Sequence, residues 1–283
     1  MKATDNPSVI LFGAPFTGKT LLAGELAEHF NLILIDMEAG HDVLFTLPEE
    51  WQERIEVISL PDTSSYPIAI ETCLKMVKIP VDVCEKHGKV SCPRCKVAGD
   101  PMTHVDLNNL PDDTIVIFDS ATQLTASAIA NIVKNEDDMY KLKLDDWGGL
   151  SKLMDIFFSH IQNAPYKRIV ISHIKEAEGE DGKTLLSPVA GSQNFSSNVA
   201  RFFDHVVYLE TKNKKHMAAS STTYNTRIKT GSRTNVKLEE MGKATLLSIF
   251  KPEAVVDTPV TSSSVKAGTG STADILARLK KNS

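Results

Sequence analysis

The stretch GAPFTGKT, residues 13–20, constrains the fold more than any other part of the chain. It matches the phosphate-binding loop G-x-x-x-x-G-K-[ST] at every fixed position. A short apolar run, residues 9–12, precedes it, and the helical pattern LLAGELAEH, residues 21–29, follows it. A buried strand, a glycine-containing turn and a helix are the context in which such a loop binds phosphate. The motif therefore predicts a nucleotide-binding domain, and a chance match in a glycine-containing turn is the weaker alternative.

Residue types within the loop predict individual roles. Backbone N–H groups and the N-terminus of the next helix face the phosphates, Lys19 neutralises phosphate charge and Thr20 ligates Mg²⁺. ATP and Mg²⁺ are the expected ligands. The predicted nucleotide-contacting residues are the loop and the residue after it: Gly13, Ala14, Pro15, Phe16, Thr17, Gly18, Lys19, Thr20 and Leu21.

Strand-like and helix-like segments alternate along the chain. We predict strands at residues 32–36, 55–60, 114–119, 168–172 and 205–209, helices at 66–77, 121–133 and about 147–162, and two later strands at 224–229 and 245–250. Near-continuous β-branched runs separated by helices predict an α/β fold whose twisted, mostly parallel sheet is covered by helices on both faces.

Composition fits one large domain with attachments. The chain has 283 residues, of which 42% are hydrophobic, so a sizeable core is expected over residues 1–251. Residues 252–272 read as a flexible linker, and residues 273–283 as a short amphipathic tail. The tail is either a frayed end or a docking segment, for which a single-strand DNA-binding protein is the candidate partner.

Without a long apolar run or a leader pattern, a soluble cytoplasmic protein is expected.

The charge of the chain is unevenly distributed. Its net charge of −5 argues against a globally basic nucleic-acid coat protein. Residues 211–238 nevertheless contain no Asp or Glu and could form a strip that faces a polyanion, or an ordinary solvated loop and strand. The cations of this segment are Lys212, Lys214, Lys215, Arg227, Lys229, Arg233 and Lys237.

Acidic residues after two predicted strands complete the expected nucleotide site. Asp119 ends a very apolar strand, where an acid that holds Mg²⁺ should lie, at the end of a strand neighbouring the one before the loop. The next residue is Ser120 and not a glutamate, so the base that activates water must come from elsewhere. Glu38 is favoured over Asp36 for this role, the alternative being that either acid caps a turn. His173 could sense the γ-phosphate or belong to a structural hydrogen-bond network.

A cluster of metal-ligand residues lies between residues 81 and 105. Cys84 and His87 form one closely spaced pair, and Cys92 and Cys95 another, which predicts a closed structural zinc knuckle. The alternative is a redox pair at Cys92 and Cys95 with His87 on the surface. Cys73 lies in an apolar helical pattern and is expected in the core. The cations around the insertion, which could face DNA or a partner protein, are Lys75, Lys78, Lys86, Lys89, Arg94 and Lys96.

The segments GAPFTGKT, IDMEAG, IVIFDS and VISH together resemble the phage-encoded RecA-core ATPases that promote single-strand annealing and recombination, across roughly residues 7–250. The resemblance implies that Lys19 binds phosphate, that Thr20 and Asp119 hold Mg²⁺, that Glu38 is the base, and that His173 links phosphate state to DNA. It also implies that residues 174–198 occupy the position of a mobile DNA-binding loop. The zinc insertion departs from the minimal core of this family.

The resemblance further implies an oligomer in which basic residues of the adjacent subunit complete the active site. Arg227 and Lys229, on a predicted late strand, are the candidates, with Arg233 as a rival; otherwise the pair contacts DNA phosphates. The implied activity is a DNA-stimulated ATPase that binds single-stranded DNA and promotes annealing or homologous recombination. The alternative is a regulatory or packaging-type P-loop ATPase whose partner is a protein.

Overall fold

A computed structural model describes residues 6–63, 66–137, 139–178, 184–221, 227–234, 236–241 and 244–250. The predicted linker at 252–272 and the tail at 273–283 lie outside the described residues. So does the first half of the predicted strand at 224–229, residues 224–226.

Strands and helices alternate through most of the described chain. The strands are β1 Ser8–Gly13, β2 Asn31–Asp36, β3 Ile55–Ser59, β4 Val81–Cys84, β5 Met102–Val105, β6 Thr114–Asp119, β7 Lys167–Glu178, β8 Thr184–Pro188, β9 His205–Lys212, β10 Lys215–Ala219 and β11 Gly231–Ser232. The helices are α1 Lys19–Gly24, α2 Glu49–Gln52, α3 Ile68–Met76, α4 Pro93–Ala98, α5 Ala121–Val133, α6 Leu144–Gln162, α7 Gln193–Asn198 and α8 Leu247–Phe250. None of the helices in this part of the chain is long and apolar enough to cross a bilayer.

The main sheet has the strand order β10-β9-β1-β7-β6-β2-β3. From β9 to β3 all neighbours pair in parallel, whereas β10 and β11 pair antiparallel with β9, and β8 pairs antiparallel with β7. β7 lies between β1 and β6. The prediction that Asp119 ends a strand neighbouring β1 is therefore wrong, because β6 is the next strand but one.

Both faces of the sheet are buried, as the apolar strand sequences require. Along β1, Ile10 and Phe12 face the core that includes α3, α5 and α6, while Val9 and Leu11 face the core that includes α1 and α8. All four side chains are fully buried. Strands with two buried faces read as continuous apolar runs. The predicted fold class, an α/β fold with a mostly parallel sheet and helices on both faces, is confirmed.

The helix after the phosphate loop and the predicted strand at 245–250 differ from the sequence prediction. The helix after the phosphate loop ends at Gly24 and continues as a 3-10 turn, Glu25–Glu28. Residues 247–250, predicted within a strand, form α8, where Phe250 packs edge-on against Phe30 with the ring centroids 6.2 Å apart. A short apolar run fits a buried helix and a buried strand equally well, and tertiary packing decided between them.

The segment 174–198, expected as a mobile loop, contains regular structure over its described residues. β7 extends to Glu178, β8 pairs back onto it with Ile174 opposite Pro188, and α7 follows. The insertion consists of an antiparallel hairpin, β4 and β5, which encloses α4.

Candidate nucleotide site and metal-binding cluster

The phosphate loop connects β1 to α1 and depends on two glycines. A Cβ atom on Gly13 would lie 2.2 Å from the carbonyl oxygen of Leu209 on β9, so only glycine allows this approach. Gly18 has a φ of +83°, a conformation that favours glycine. Thr17 Oγ1 donates to the Ala14 carbonyl oxygen over 2.8 Å and closes the loop on itself. The predicted residues thus lie in one turn and the start of α1.

Lys19 lies inside this loop. Its side chain is buried, and Nζ donates to the carbonyl oxygens of Gly13 (3.2 Å) and Ala14 (2.8 Å). Burial lowers the pKa of Lys19, while the charges of Asp119 and Glu38 act in the opposite direction. The ammonium group is therefore held at the point where a phosphate-binding loop requires its cation.

Thr20 and Asp119 meet across the site. Thr20 Oγ1, in α1, donates to Asp119 Oδ2 over 2.6 Å, although β7 separates β1, which precedes the loop, from β6, which ends at Asp119. Burial raises the pKa of Asp119 to about 7, which the hydrogen bond from Thr20 and the charge of Lys19 only partly oppose. A hydroxyl and a buried carboxylate are hard oxygen donors, and a divalent cation would stabilise the ionised carboxylate. This pair fits the predicted Mg²⁺ site.

The raised pKa of Asp119 predicts how the stability of the nucleotide-free protein depends on pH. Between about pH 4 and pH 7 the unfolded chain releases a proton that the folded chain keeps, so the free energy of unfolding falls as pH rises through this window. Asp119→Asn should raise that free energy by on the order of 2 kcal/mol at pH 8 and much less at pH 5. Urea unfolding without nucleotide and Mg²⁺ measures this effect. The exposed Asp112→Asn is the control, and equal pH dependence in wild type and Asp119→Asn would contradict the assignment.

Asp36 shapes the turn that carries Glu38. The Asp36 side chain is buried at the end of β2, where Oδ1 accepts hydrogen bonds from the backbone N–H groups of Glu38 (3.1 Å) and Gly40 (3.3 Å). Its Oδ2 lies 2.5 Å from Nδ1 of His41. Asp36 therefore caps this turn, which leaves Glu38 as the acid that reaches the rest of the site.

Glu38 contacts residues from two other elements. Ser120 Oγ, at the N-terminus of α5, donates to Glu38 Oε1, and His173 Nε2 lies 3.6 Å from Glu38 Oε2. His173 is within β7 and does not end a strand as predicted, and its backbone N–H donates to Thr122 Oγ1 over 2.9 Å. The three sequence-distant groups Glu38, Ser120 and His173 thus form one cluster beside Asp119.

Some residues of the site have no counterpart in the sequence prediction. Ser120 is the hydrogen-bond partner of Glu38, a role that the sequence analysis did not assign to it. Asp36, in contrast, takes the capping role that the sequence analysis gave as the alternative. His216 on β10 packs over the loop, where Cε1 would lie 3.1 Å from a Cβ on Gly18. A cavity of about 370 Å³ adjoins this point, between the loop and the β9–β10 turn. No short motif signals a contact between residues 198 positions apart.

The predicted basic residues are spread over different parts of the fold. Ile228 forms one bridge with Leu186 of β8 in place of a late strand, and Lys229 Nζ donates to the Ser197 carbonyl oxygen over 2.9 Å. Arg227 is exposed. Arg233 lies 3.7 Å from Asp204, which precedes β9 and so lies at the sheet edge opposite the phosphate loop. The segment 211–238 therefore does not form one continuous strip, and a role for Arg227 or Lys229 across a subunit interface stays a prediction.

Four side chains of the insertion form a candidate metal centre. The ligand atoms of Cys84, His87, Cys92 and Cys95 all lie within 4.8 Å of one another. His87 Nδ1 lies 3.8 Å from Sγ of Cys84, 3.9 Å from that of Cys92 and 3.1 Å from that of Cys95. A tetrahedral zinc site with ordinary bond lengths has nitrogen–sulfur separations of about 3.6 Å. A backbone hydrogen bond with Cys95 lowers the pKa of Cys92 to about 6, which favours the thiolate that zinc binds. Burial raises the pKa of Cys95 to about 12, so this thiol favours its neutral form when no cation is bound.

The cluster is attached to the sheet through one tight contact. Gly88 has a φ of +63°, and a Cβ there would lie 3.0 Å from Ser59 O and from Leu60 Cα, immediately after β3. Its carbonyl oxygen accepts a hydrogen bond from Thr72 Oγ1 of α3 over 2.8 Å. Cys73, next to Thr72, is fully buried in the core as predicted. The insertion is therefore fixed at the edge of the sheet where the parallel strands end.

If zinc holds the insertion together, removing one ligand should cause loss of the zinc and should unfold the insertion. We expect one zinc per chain in wild type and less than about 0.2 in Cys95→Ser, with protease cleavage appearing between residues 84 and 99. The buried Cys73→Ala, which lies outside the cluster, should retain its zinc. Elemental analysis and limited proteolysis measure these outcomes. Full zinc content in Cys95→Ser, or little zinc in gently purified wild type, would argue against the site.

The chain belongs to the AAA domain family, whose profile matches residues 5–235. It is therefore a P-loop ATPase, and ATP with Mg²⁺ is the ligand expected for the loop and for the Thr20–Asp119 pair. No curated protein sequence matches the chain.

Three solved ATPase structures are similar to the chain at low sequence identity. A prototypical ATPase from the type III secretion system of pathogenic bacteria has 11% identity and a TM-score of 0.41, covering 87% of this chain and 61% of its own. Assembled EscN from the type III secretion system of enteropathogenic E. coli has 13% sequence identity and a TM-score of 0.38, and the match covers 72% of this chain and 43% of EscN. The ATPase domain of G40P has 11% sequence identity and a TM-score of 0.36, and the match covers 74% of this chain and 70% of that domain. The chain thus spans less than two thirds of the first two proteins.

Proposed function

We propose that the chain hydrolyses ATP, binds single-stranded DNA and promotes annealing or homologous recombination. The observation that carries this proposal is the position of Glu38, whose carboxylate contacts both Ser120 next to the magnesium acid and His173 on β7. The same residues carry the resemblance to annealing and recombination ATPases in the sequence.

Each polar group of the site has a place in hydrolysis. Lys19 neutralises charge on the transferred phosphoryl group, and Thr20 and Asp119 would hold a Mg²⁺ ion, which would supply positive charge to the phosphate oxygens. Glu38 accepts a proton from the attacking water as a bond forms to the γ-phosphorus and the bond to the β-phosphate oxygen breaks. Ser120 and His173 orient the Glu38 carboxylate for this step.

The contact between Glu38 and His173 supports coupling of nucleotide state to a second surface. β7 continues without interruption past His173 to Glu178 and pairs there with β8. A change in the hydrogen bonding of Glu38 at the γ-phosphate would act on a strand that runs from the active site to this hairpin. We propose that nucleotide state is transmitted along this strand to the hairpin.

An oligomer is the proposed working form. Phe16, at the tip of the phosphate loop, is fully exposed, and an apolar ring beside a nucleotide site would be stabilised by the surface of an adjacent subunit. Arg227 or Lys229 of that subunit would then supply the additional positive charge. A single-strand DNA-binding protein is a proposed partner of the C-terminal tail.

ATP turnover in the presence and absence of DNA tests the proposal. We expect single-stranded oligonucleotide to stimulate turnover several-fold, duplex DNA of the same sequence to do so less, and oligonucleotide retention to differ between ATP and ADP. Annealing of complementary strands should be faster with the protein than without it. Turnover indifferent to DNA, together with no retention of oligonucleotide, would instead support an ATPase that acts on a protein partner.

A further inference from the structure

The zinc insertion and the connection between β3 and α3 enclose a groove of about 620 Å³. This volume falls in the range of about 300–1,000 Å³ that ligand sites occupy. The insertion lines one side with Lys86, Lys89 and Arg94, and the β3–α3 connection lines the other with Thr63 and Tyr66. The groove therefore combines cations with an aromatic ring.

The positive charge of the residues that line the groove favours a single-stranded nucleic acid as the ligand. No carboxylate belongs to the described residues that line the groove. The two acids adjacent in sequence to lining residues are engaged elsewhere: Asp62 Oδ1 accepts a hydrogen bond from the Ala69 N–H over 2.9 Å, and Glu85 Oε1 accepts one from Thr103 Oγ1 over 3.2 Å. Asp100 lies 3.8 Å from Lys86 and offsets the charge of that lysine, which leaves Lys89 and Arg94 as the cations of the groove. Within the described chain Arg94 makes no ion pair with a carboxylate. Positive charge at this surface is thus available to a ligand.

Tyr66 provides a flat surface at the groove. Its side chain is about half exposed, and the ammonium group of Lys89 lies 5.2 Å from the ring centroid. Lys89 Nζ also donates to the Tyr66 hydroxyl. Single-strand binding sites combine such a ring, on which a base stacks, with cations that contact the backbone phosphates. A duplex offers no unstacked base to this ring.

The β7–β8 hairpin region is a poor match for the same ligand. Residues 174–198 contain four carboxylates and two lysines, so this segment repels a phosphate backbone. The insertion, in contrast, is attached directly after β3 and therefore lies at the same sheet edge as Asp36 and the Glu38 turn, because β2 and β3 are parallel. A ligand in the groove would lie at the active-site edge of the domain.

We propose that single-stranded DNA binds in the groove between the zinc knuckle and Tyr66, with Lys89 and Arg94 contacting backbone phosphates and one base stacking on the tyrosine ring. The inference rests on the proposed DNA-binding function and names the site that carries it. Zinc then has a second role besides stabilising the insertion, because the residues that it ligates, His87 and Cys92, form part of the groove wall.

Charge reversal in the groove tests the proposal with a fluorescent dT oligonucleotide of about 20 nucleotides. We expect Lys89→Glu/Arg94→Glu to weaken binding at least 10-fold and to reduce the slope of log affinity against log salt by about 1.4, which is two phosphate contacts. Tyr66→Ala should weaken binding about 10-fold, and Tyr66→Phe much less. Zinc content and the thermal midpoint establish that these variants are folded.

Two sets of variants serve as comparisons. Lys141→Glu/Lys152→Glu makes the same charge change at exposed positions outside the groove. Lys175→Glu reverses one charge in the β7–β8 hairpin. Both variants should bind the oligonucleotide within about twofold of wild type. If zinc-loaded Lys89→Glu/Arg94→Glu bound the oligonucleotide with wild-type affinity, the proposal that DNA binds in the groove would be wrong. The groove would then be a candidate surface for a protein partner. Failure of wild type to bind the oligonucleotide at all would overturn the proposed function as well.

Discussion

Glu38→Gln should slow ATP turnover by a factor of about 10² to 10⁴ and leave ATP affinity within a few-fold of wild type. The amide has the shape of the carboxylate and can still accept the hydrogen bond from Ser120, but it cannot take a proton from water. Steady-state turnover and equilibrium binding of a fluorescent ATP analogue measure the two quantities separately.

The matched control for this change is Glu53→Gln, at an exposed position after α2. It should turn over ATP as wild type does. If Glu38→Gln keeps normal turnover, Glu38 is not the base. Asp36→Asn is not a suitable comparison, because Asp36 caps the turn that carries Glu38, and its replacement would displace the carboxylate that the experiment examines.

Lys19→Ala should weaken ATP binding by at least about 100-fold, so that turnover is lost through lack of bound substrate. Its ammonium group is buried inside the phosphate loop, where no other cation of the described loop can replace it. Removal of one partner from a buried charge pair costs about 2–5 kcal/mol, which corresponds to this loss. Calorimetric titration with Mg²⁺ and ATP measures it.

The exposed Lys141→Ala is the control for charge and should bind ATP normally. Thermal unfolding of Lys19→Ala beside wild type establishes that the variant is folded. Wild-type affinity in a folded Lys19→Ala would mean that nucleotide binds elsewhere.

The parts of the site that the sequence predicts are those governed by local rules. The loop is a contiguous motif, and acids at the ends of parallel strands meet at one sheet edge. In the structure Asp36 lies opposite Asp119 in the register of β2 and β6, which brings the Glu38 turn next to Ser120. Strand-end reasoning therefore placed Glu38 and Asp119 in one region without knowledge of the strand order. His173 lies in the same region, although β7 continues past it to Glu178.

The parts that the sequence did not predict depend on long-range packing. β7 lies between β1 and β6 because of the order in which the whole chain forms the sheet. The sequence of β6 alone does not determine which strands are its neighbours. α8 has the same apolar composition as a strand and is helical because it packs under Phe30. The groove beside Tyr66 arises only when the insertion at residues 81–105 is fixed to the end of β3 through Gly88.

Titration of the purified, zinc-loaded protein with ATP tests the central claim most directly, because every role assigned to the site requires triphosphate at the phosphate loop. We predict saturable binding of one ATP per chain with Mg²⁺, and weaker binding when EDTA removes the metal. A folded protein that shows no saturable binding of ATP or GTP at millimolar concentration would contradict the account.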